Sequence, residues 1–210
     1  MVELIWDGKY DADGNRVAPL RIALPFQTVE TVNESAQQRQ LMLDLFSAGR
    51  NSEWRNRLIW GDKKYVLPSL LPEFAGKVDL IYIDPPFATG ADFSFQTQIG
   101  DEEFTKEPSM IEEKAYRDMW GRGIDSYLQW FYETAAVLHE LLDETGSLVV
   151  HIGSNLNHYI RQILDEVFGE ANYINQIIWK RSDAHSDIGQ GAKHLGRIHD
   201  VLMLYSKSQN

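Results

Sequence analysis

The run VDLIYI, Val78 to Ile83, narrows the choice of folds more than any other part of the sequence. Five of its six residues are apolar, and it stops abruptly at Asp84-Pro85-Pro86-Phe87. A short, continuously apolar run rich in β-branched and aromatic residues is the pattern of a parallel strand buried on both faces. A second such run, GSLVVHI from Gly146 to Ile152, lies downstream of a stretch in which Ile124, Leu128, Phe131, Ala135, Leu138 and Leu142 recur at steps of four and three. That spacing predicts an amphipathic helix, with Asp125 and Ser126 as candidate caps. Strand, helix and strand in this order point to the α/β class.

The flanking segments extend the pattern. Asn33 to Gly49 opens on a cap cluster, sets Leu41, Leu45 and Phe46 on one face and stops at glycine, which predicts a helix. NRLIWGD, from Asn56, reads as a short strand, and Lys64 to Phe74 as a short helix whose exit Gly76 marks. Residues 91–117 are polar and acidic without a clear period, so a surface loop with some helix is expected. A further helix is expected from Asn155 to Phe168, with Ile160, Ile163, Leu164 and Val167 inward and Gly169 at its stop. INQIIWK (Ile174–Lys180) and DVLMLYSK (Asp200–Lys207) read as an antiparallel pair closing a sheet edge. The connection between them is long for a hairpin, and loops of that length are usually functional. Residues 1–35 carry turn formers and no periodicity, and are expected to form a loose N-terminal arm.

Composition removes several function classes. With no cysteine in 210 residues, disulfide scaffolds, thiolate zinc sites and cysteine nucleophiles are excluded. His185, His194 and His199 lack the spacing and carboxylate pattern of a metal site and are read as polar loop residues; no metal is expected. No run approaches the roughly 18–20 apolar residues of a membrane span, and the N-terminus lacks the basic start and apolar stretch of a secretory signal, so a cytoplasmic protein without a membrane partner is expected. A net charge of −11 argues against a protein that grips nucleic acid over its whole surface. The charge is uneven, however: residues 174–210 carry +2. Contact with a polyanion is therefore expected near the C-terminus, through Lys180, Arg181, Lys193 and Arg197.

The segment Asp84 to Phe87 carries the chemistry. In an open α/β sheet ligands bind beyond the carboxyl ends of the strands, where this tetrapeptide stands. Two successive prolines remove two backbone donors and fix φ, leaving a stiff turn of acceptors. Such a turn suits a planar NH2 group, whose hydrogens Asp84 and the Pro85 carbonyl can accept while Phe87 offers a ring face for a heteroaromatic base. His151, late in the second strand, reads as a core histidine rather than a base.

The strand running into DPPF, with the blocks KVDLIYIDPPFATGADF, AYRDMWGRGIDSYLQWFYE, LLDETGSLVVHIG, LDEVFGEANYINQIIWKRSDAHSD and HDVLMLYSK, resembles the β-class DNA adenine amino-methyltransferases, including modification subunits of type III restriction systems. The resemblance covers about residues 56–208. It implies a Rossmann-like methyltransferase sheet with helices on both faces and an antiparallel strand pair at the C-terminal end, built by residues 36–210 behind the 1–35 arm. It also implies methyl transfer from S-adenosylmethionine to the amino group of an adenine flipped out of double-stranded DNA. Asp84, Pro85, Pro86 and Phe87 would be catalytic, and Asp62 with Asp84 would contact the cofactor. Asp rather than Ser at the head of the motif resembles adenine enzymes more than cytosine N4 enzymes, which stand as the alternative. In this family a target-recognition domain and a glycine-rich FxGxG cofactor loop follow the catalytic half, and neither lies in these residues. The expectations are therefore an incomplete sheet lacking its cofactor strands, an unpaired edge on Val78–Ile83, and an isolated chain that is inactive without a complementary chain. A restriction subunit is a further implied partner, and a non-catalytic fragment is the reading from another class.

Overall fold

The computed structural model describes residues 3–30, 56–86, 123–181 and 198–209, together with the backbone of 95–99 and 102–106. The elements in chain order are α1 (Lys63–Phe74), β1 (Val78–Ile83), β2 (Phe95–Ile99), β3 (Glu102–Lys106), α2 (Ile124–Leu141), β4 (Leu142–Gly153), α3 (Asn157–Phe168), β5 (Tyr173–Lys180) and β6 (His199–Ser206). Four strands form one sheet in the order β1-β4-β6-β5. β1 runs parallel to β4, and β6 is antiparallel to both β4 and β5. The carboxyl ends of β1, β4 and β5 therefore reach the same end of the sheet. The α/β class and the closing antiparallel pair are those the sequence predicts.

Strand pleating sorts side chains between the two faces. On one face Leu148, Val150, Ile152, Val201, Met203 and Tyr205 join Phe131, Leu138, Ile160, Ile163 and Leu164 of α2 and α3 in a single buried core. α1 packs on α2 and adds Leu67, Leu70 and Phe74 to the rim of that core. Among the described residues all three helices lie on this face, so the expectation of helices on both faces is met on one; the helix predicted over Asn33–Gly49 lies outside the described residues. β1 consequently differs from its expected two-sided burial, because Leu80 and Tyr82 point to the other face and are exposed.

Among the described residues β1 pairs only with β4. The approach of the two strands is tight at Gly146, where a Cβ would lie 2.7 Å from the Val78 carbonyl oxygen. Glycine is needed there. NRLIW is not a strand: residues 56–60 carry no regular secondary structure and join no ladder, and Leu58 and Trp60 are exposed. An apolar pentapeptide has strand character, but without a pairing partner it has no place for its backbone hydrogen bonds.

Three local expectations are corrected. The polar segment contains the antiparallel hairpin β2–β3 rather than helix and loop alone. Helix α2 is capped at Gly123, whose φ is +81° and whose carbonyl accepts from Ser126 Oγ, while Asp125 sits in the first turn. Helix α3 starts at Asn157 with Leu156 at its N-cap and no side-chain cap, in place of the expected Asn155 cap.

The N-terminal arm is anchored, not loose. Lys9 is fully buried, with its ammonium 2.8 Å from Glu166 Oε2 on α3, hydrogen-bonded to the Leu4 carbonyl and 4.6 Å from the Trp6 ring centroid. A buried ammonium is tolerated only when paired in this way. Trp6 Nε1 donates to Gln129 of α2 at 2.8 Å, fixing the arm to both helices.

Candidate functional site

The site lies at the carboxyl end of β1. Pleating carries Tyr82 and Asp84 to the uncovered face, and Asp84 projects into solvent while Pro85 is buried beneath it. A buried proline adjoining an exposed carboxylate makes the turn rigid where it meets the protein and leaves only the acceptor to meet a ligand. Phe87 lies outside the described residues, and Pro86 is half-buried.

Three further groups extend in a line from Asp84. His151, third from the end of β4, lies on the same face with Nδ1 3.3 Å from Asp84 Oδ1. Its Nε2 is 3.5 Å from Oδ2 of Asp200, the second residue of β6. Oδ1 of Asp200 in turn lies 3.5 Å from Arg181 Nη1, just past the end of β5. The sheet register makes this convergence unavoidable: Ile83 pairs with Val150, His151 with Leu202, and Asp200 with both Gly153 and Trp179. Four strand ends thus deliver a carboxylate, an imidazole, a second carboxylate and a guanidinium in sequence. His151 is not the plain core histidine the sequence suggested, and Asp200 was not singled out at all. The available signal was parity, since His151 ends its strand in the same phase as Asp84 ends β1.

Asp62 stands apart, at the start of α1. Its Oδ1 accepts from Lys64 N at 2.9 Å, the geometry of a helix N-cap. Its neighbour Lys63 turns inward, donates to the Trp130 carbonyl and to Thr134 Oγ1, and is pushed down to about 8 by burial. Of the four cations expected to meet a polyanion, Lys180 and Arg181 are exposed at the end of β5, and Lys193 and Arg197 lie outside the described residues. No group of three or more metal-ligating side chains occurs among the described residues, nor does any helix long and apolar enough to cross a membrane.

The residues that build this site lie in a region with a family match. A family model described as DNA methylase, of the N6 and N4 type, matches residues 78–210, which begin with β1 and include every member of the Asp84 cluster. The chain belongs to the DNA methylase family. It is 30% identical over 154 residues to the type II methyltransferase M.EcaI of Enterobacter cloacae, covering 73% of this chain and 30% of that protein. It is 26% identical over 206 residues to the EcoP15I Mod subunit, a type III restriction-modification enzyme of Escherichia coli, covering 93% of this chain and 30% of that protein. The chain therefore spans about 30% of the length of these relatives. A solved structure of the cytosine-N4-specific PvuII DNA methyltransferase superposes with a TM-score of 0.40 at 18% identity, covering 69% of this chain and 47% of that one.

Proposed function

We propose that this chain carries the amino-group acceptor site of a DNA adenine methyltransferase of a restriction-modification system, acting in the cytoplasm on double-stranded DNA. The observation that carries the reading is the exposed Asp84 carboxylate held on the buried Pro85 at the end of β1, within a chain of the DNA methylase family. A carboxylate and a proline carbonyl are both pure acceptors, which matches the two hydrogens of an exocyclic amino group and nothing anionic. The likeness to type III Mod subunits supports adenine modification and a restriction subunit as partner. Residues 36–210 would form the catalytic part and residues 1–35 its N-terminal arm.

The acceptors also fit the cofactor of such a reaction. Asp62 offers its Oδ2 while Oδ1 caps α1, and with Asp84 it would hold S-adenosylmethionine through that molecule's hydrogen-bond donors. S-adenosylmethionine would supply an electrophilic sulfonium methyl group for the amino nitrogen and would leave as the neutral thioether. Asp84 and the Pro85 carbonyl, accepting hydrogen bonds from the amino hydrogens, pull the amino group away from conjugation with the ring, so that its lone pair becomes available. Asp84 then accepts the surplus proton from nitrogen. A target atom inside a duplex is unreachable, so the base must be flipped, and Phe87 would stack on it. Lys180, Arg181, Lys193 and Arg197 would meet the phosphates, which position the duplex without reading its sequence.

The test is nucleoside analysis of DNA treated with the full-length protein and S-adenosylmethionine. N6-methyladenine is the expected product. N4-methylcytosine would overturn the choice of base, and unmodified DNA would overturn the proposed activity.

A further inference from the structure

Exposed carboxylates on a turn normally sample several rotamers, and a catalytic acceptor displaced by an ångström can cost about 10²-fold in rate. Asp84 is not left to sample freely. Its side chain is 59% exposed, yet it abuts His151, 19% exposed, which abuts Asp200, only 6% exposed. The chain of groups runs from solvent into the sheet, and its buried end is braced by Arg181. A carboxylate buried as deeply as Asp200 requires partners, and those near it are the imidazole and the guanidinium. The arrangement draws on four strand ends far apart in the sequence, and only the ladder register brings them into line.

We infer that His151 is the positioning residue of the methyl-transfer site. Asp200 fixes the orientation of its ring, Arg181 holds Asp200, and the ring's Nδ1 edge aims the Asp84 carboxylate at the amino group. His151 acts through Asp84 and does not itself touch substrate, and the inference rests on the reading of Asp84 as amino acceptor. A histidine that merely filled space on this face would affect stability alone. A positioning histidine affects turnover while leaving DNA and cofactor binding in place.

The experiment compares His151→Ala, His151→Asn and Asp84→Ala in the full-length enzyme, measuring kcat, the KM for S-adenosylmethionine, DNA affinity and Tm. His151→Ala should lower kcat by up to about 10²-fold, with KM and DNA affinity within about twofold. His151→Asn places an amide nitrogen where Nδ1 stood and should recover a substantial part of that loss, whereas a space-filling role predicts no such recovery. The inference is overturned by an unchanged kcat in His151→Ala, or by a loss that follows Tm and is the same in the Asn variant. Asp84→Ala separates the two levels: an active Asp84→Ala enzyme defeats the methyl-transfer reading itself, whereas an inactive one beside a fully active His151→Ala enzyme defeats only the positioning role.

Discussion

On the face of the sheet that the helices cover, Leu148, Val150, Ile152, Val201, Met203 and Tyr205 are buried to the last atom or nearly so. On the opposite face of the same sheet, Leu80 and Tyr82 are 62% and 56% exposed, and the carboxylate, imidazole and guanidinium of the candidate site occupy the strand ends. One residue step along β1 or β4 thus moves a side chain from the part of the molecule that holds it together to the part that meets a ligand. A rigid, fully packed face can position a site on its reverse side to within fractions of an ångström, because close-packed interiors transmit displacement rather than absorbing it.

That division can be broken from either side. Phe131→Ala, in the centre of α2 with no exposed surface, should lower stability by about 3–5 kcal/mol, read from urea denaturation of the chain. A loss below about 1 kcal/mol would mean that the helix-covered core is loosely packed.

The rim of the covered face has a pH signature. Burial holds Lys63 down to about 8, below its ordinary value of 10.5. As pH rises through this interval the folded chain releases the proton first and the unfolded chain keeps its own, so stability should increase from about pH 8 to 10.5. The gain should be about 3 kcal/mol at most. Lys63→Met should remove that slope, and parallel denaturation curves for the two proteins across the range would show otherwise.

The site side should respond in binding instead. Arg181→Ala combined with Lys193→Ala in the full-length enzyme should weaken DNA binding and reduce the slope of log affinity against log salt by about 2, roughly one for each phosphate-facing cation removed. An unchanged slope would place these cations on a merely solvated surface. The smallest effect belongs to the uncovered face: Leu80→Ser in the 210-residue chain should change stability by no more than about 0.5 kcal/mol. A loss of several kcal/mol would show that this face is covered in the folded chain.

The covered face was legible in the sequence because hydrophobic period is a local signal. VDLIYI is β1 residue for residue, and the spacing from Ile124 to Leu138 is α2. What stayed hidden depends on partners far away in the chain. Burial of Lys9 needs Glu166, 157 residues downstream, to make it tolerable. The β2–β3 hairpin is built from FQTQI and EEFTK, which are too polar to register as strands by hydrophobic pattern. NRLIW has strand composition without a ladder to join. At the site, Asp84 was legible because a chain-breaking Pro-Pro follows an apolar strand, while His151 and Asp200 became functional candidates only through the register that sets β1, β4 and β6 side by side.

In the proposed reading Asp84 is the acceptor on which the site depends, with a directional rather than a structural role, and its replacement tests this most directly. In the full-length enzyme Asp84→Ala should reduce methyl transfer to DNA by at least about 10²–10³-fold, the effect of losing a group aimed at developing charge. Because the Asp84 side chain is largely exposed, Tm should stay within a few degrees of the parent. A variant that methylates DNA at the parent rate would contradict that role, and so would one whose lost activity is matched by a collapse in Tm.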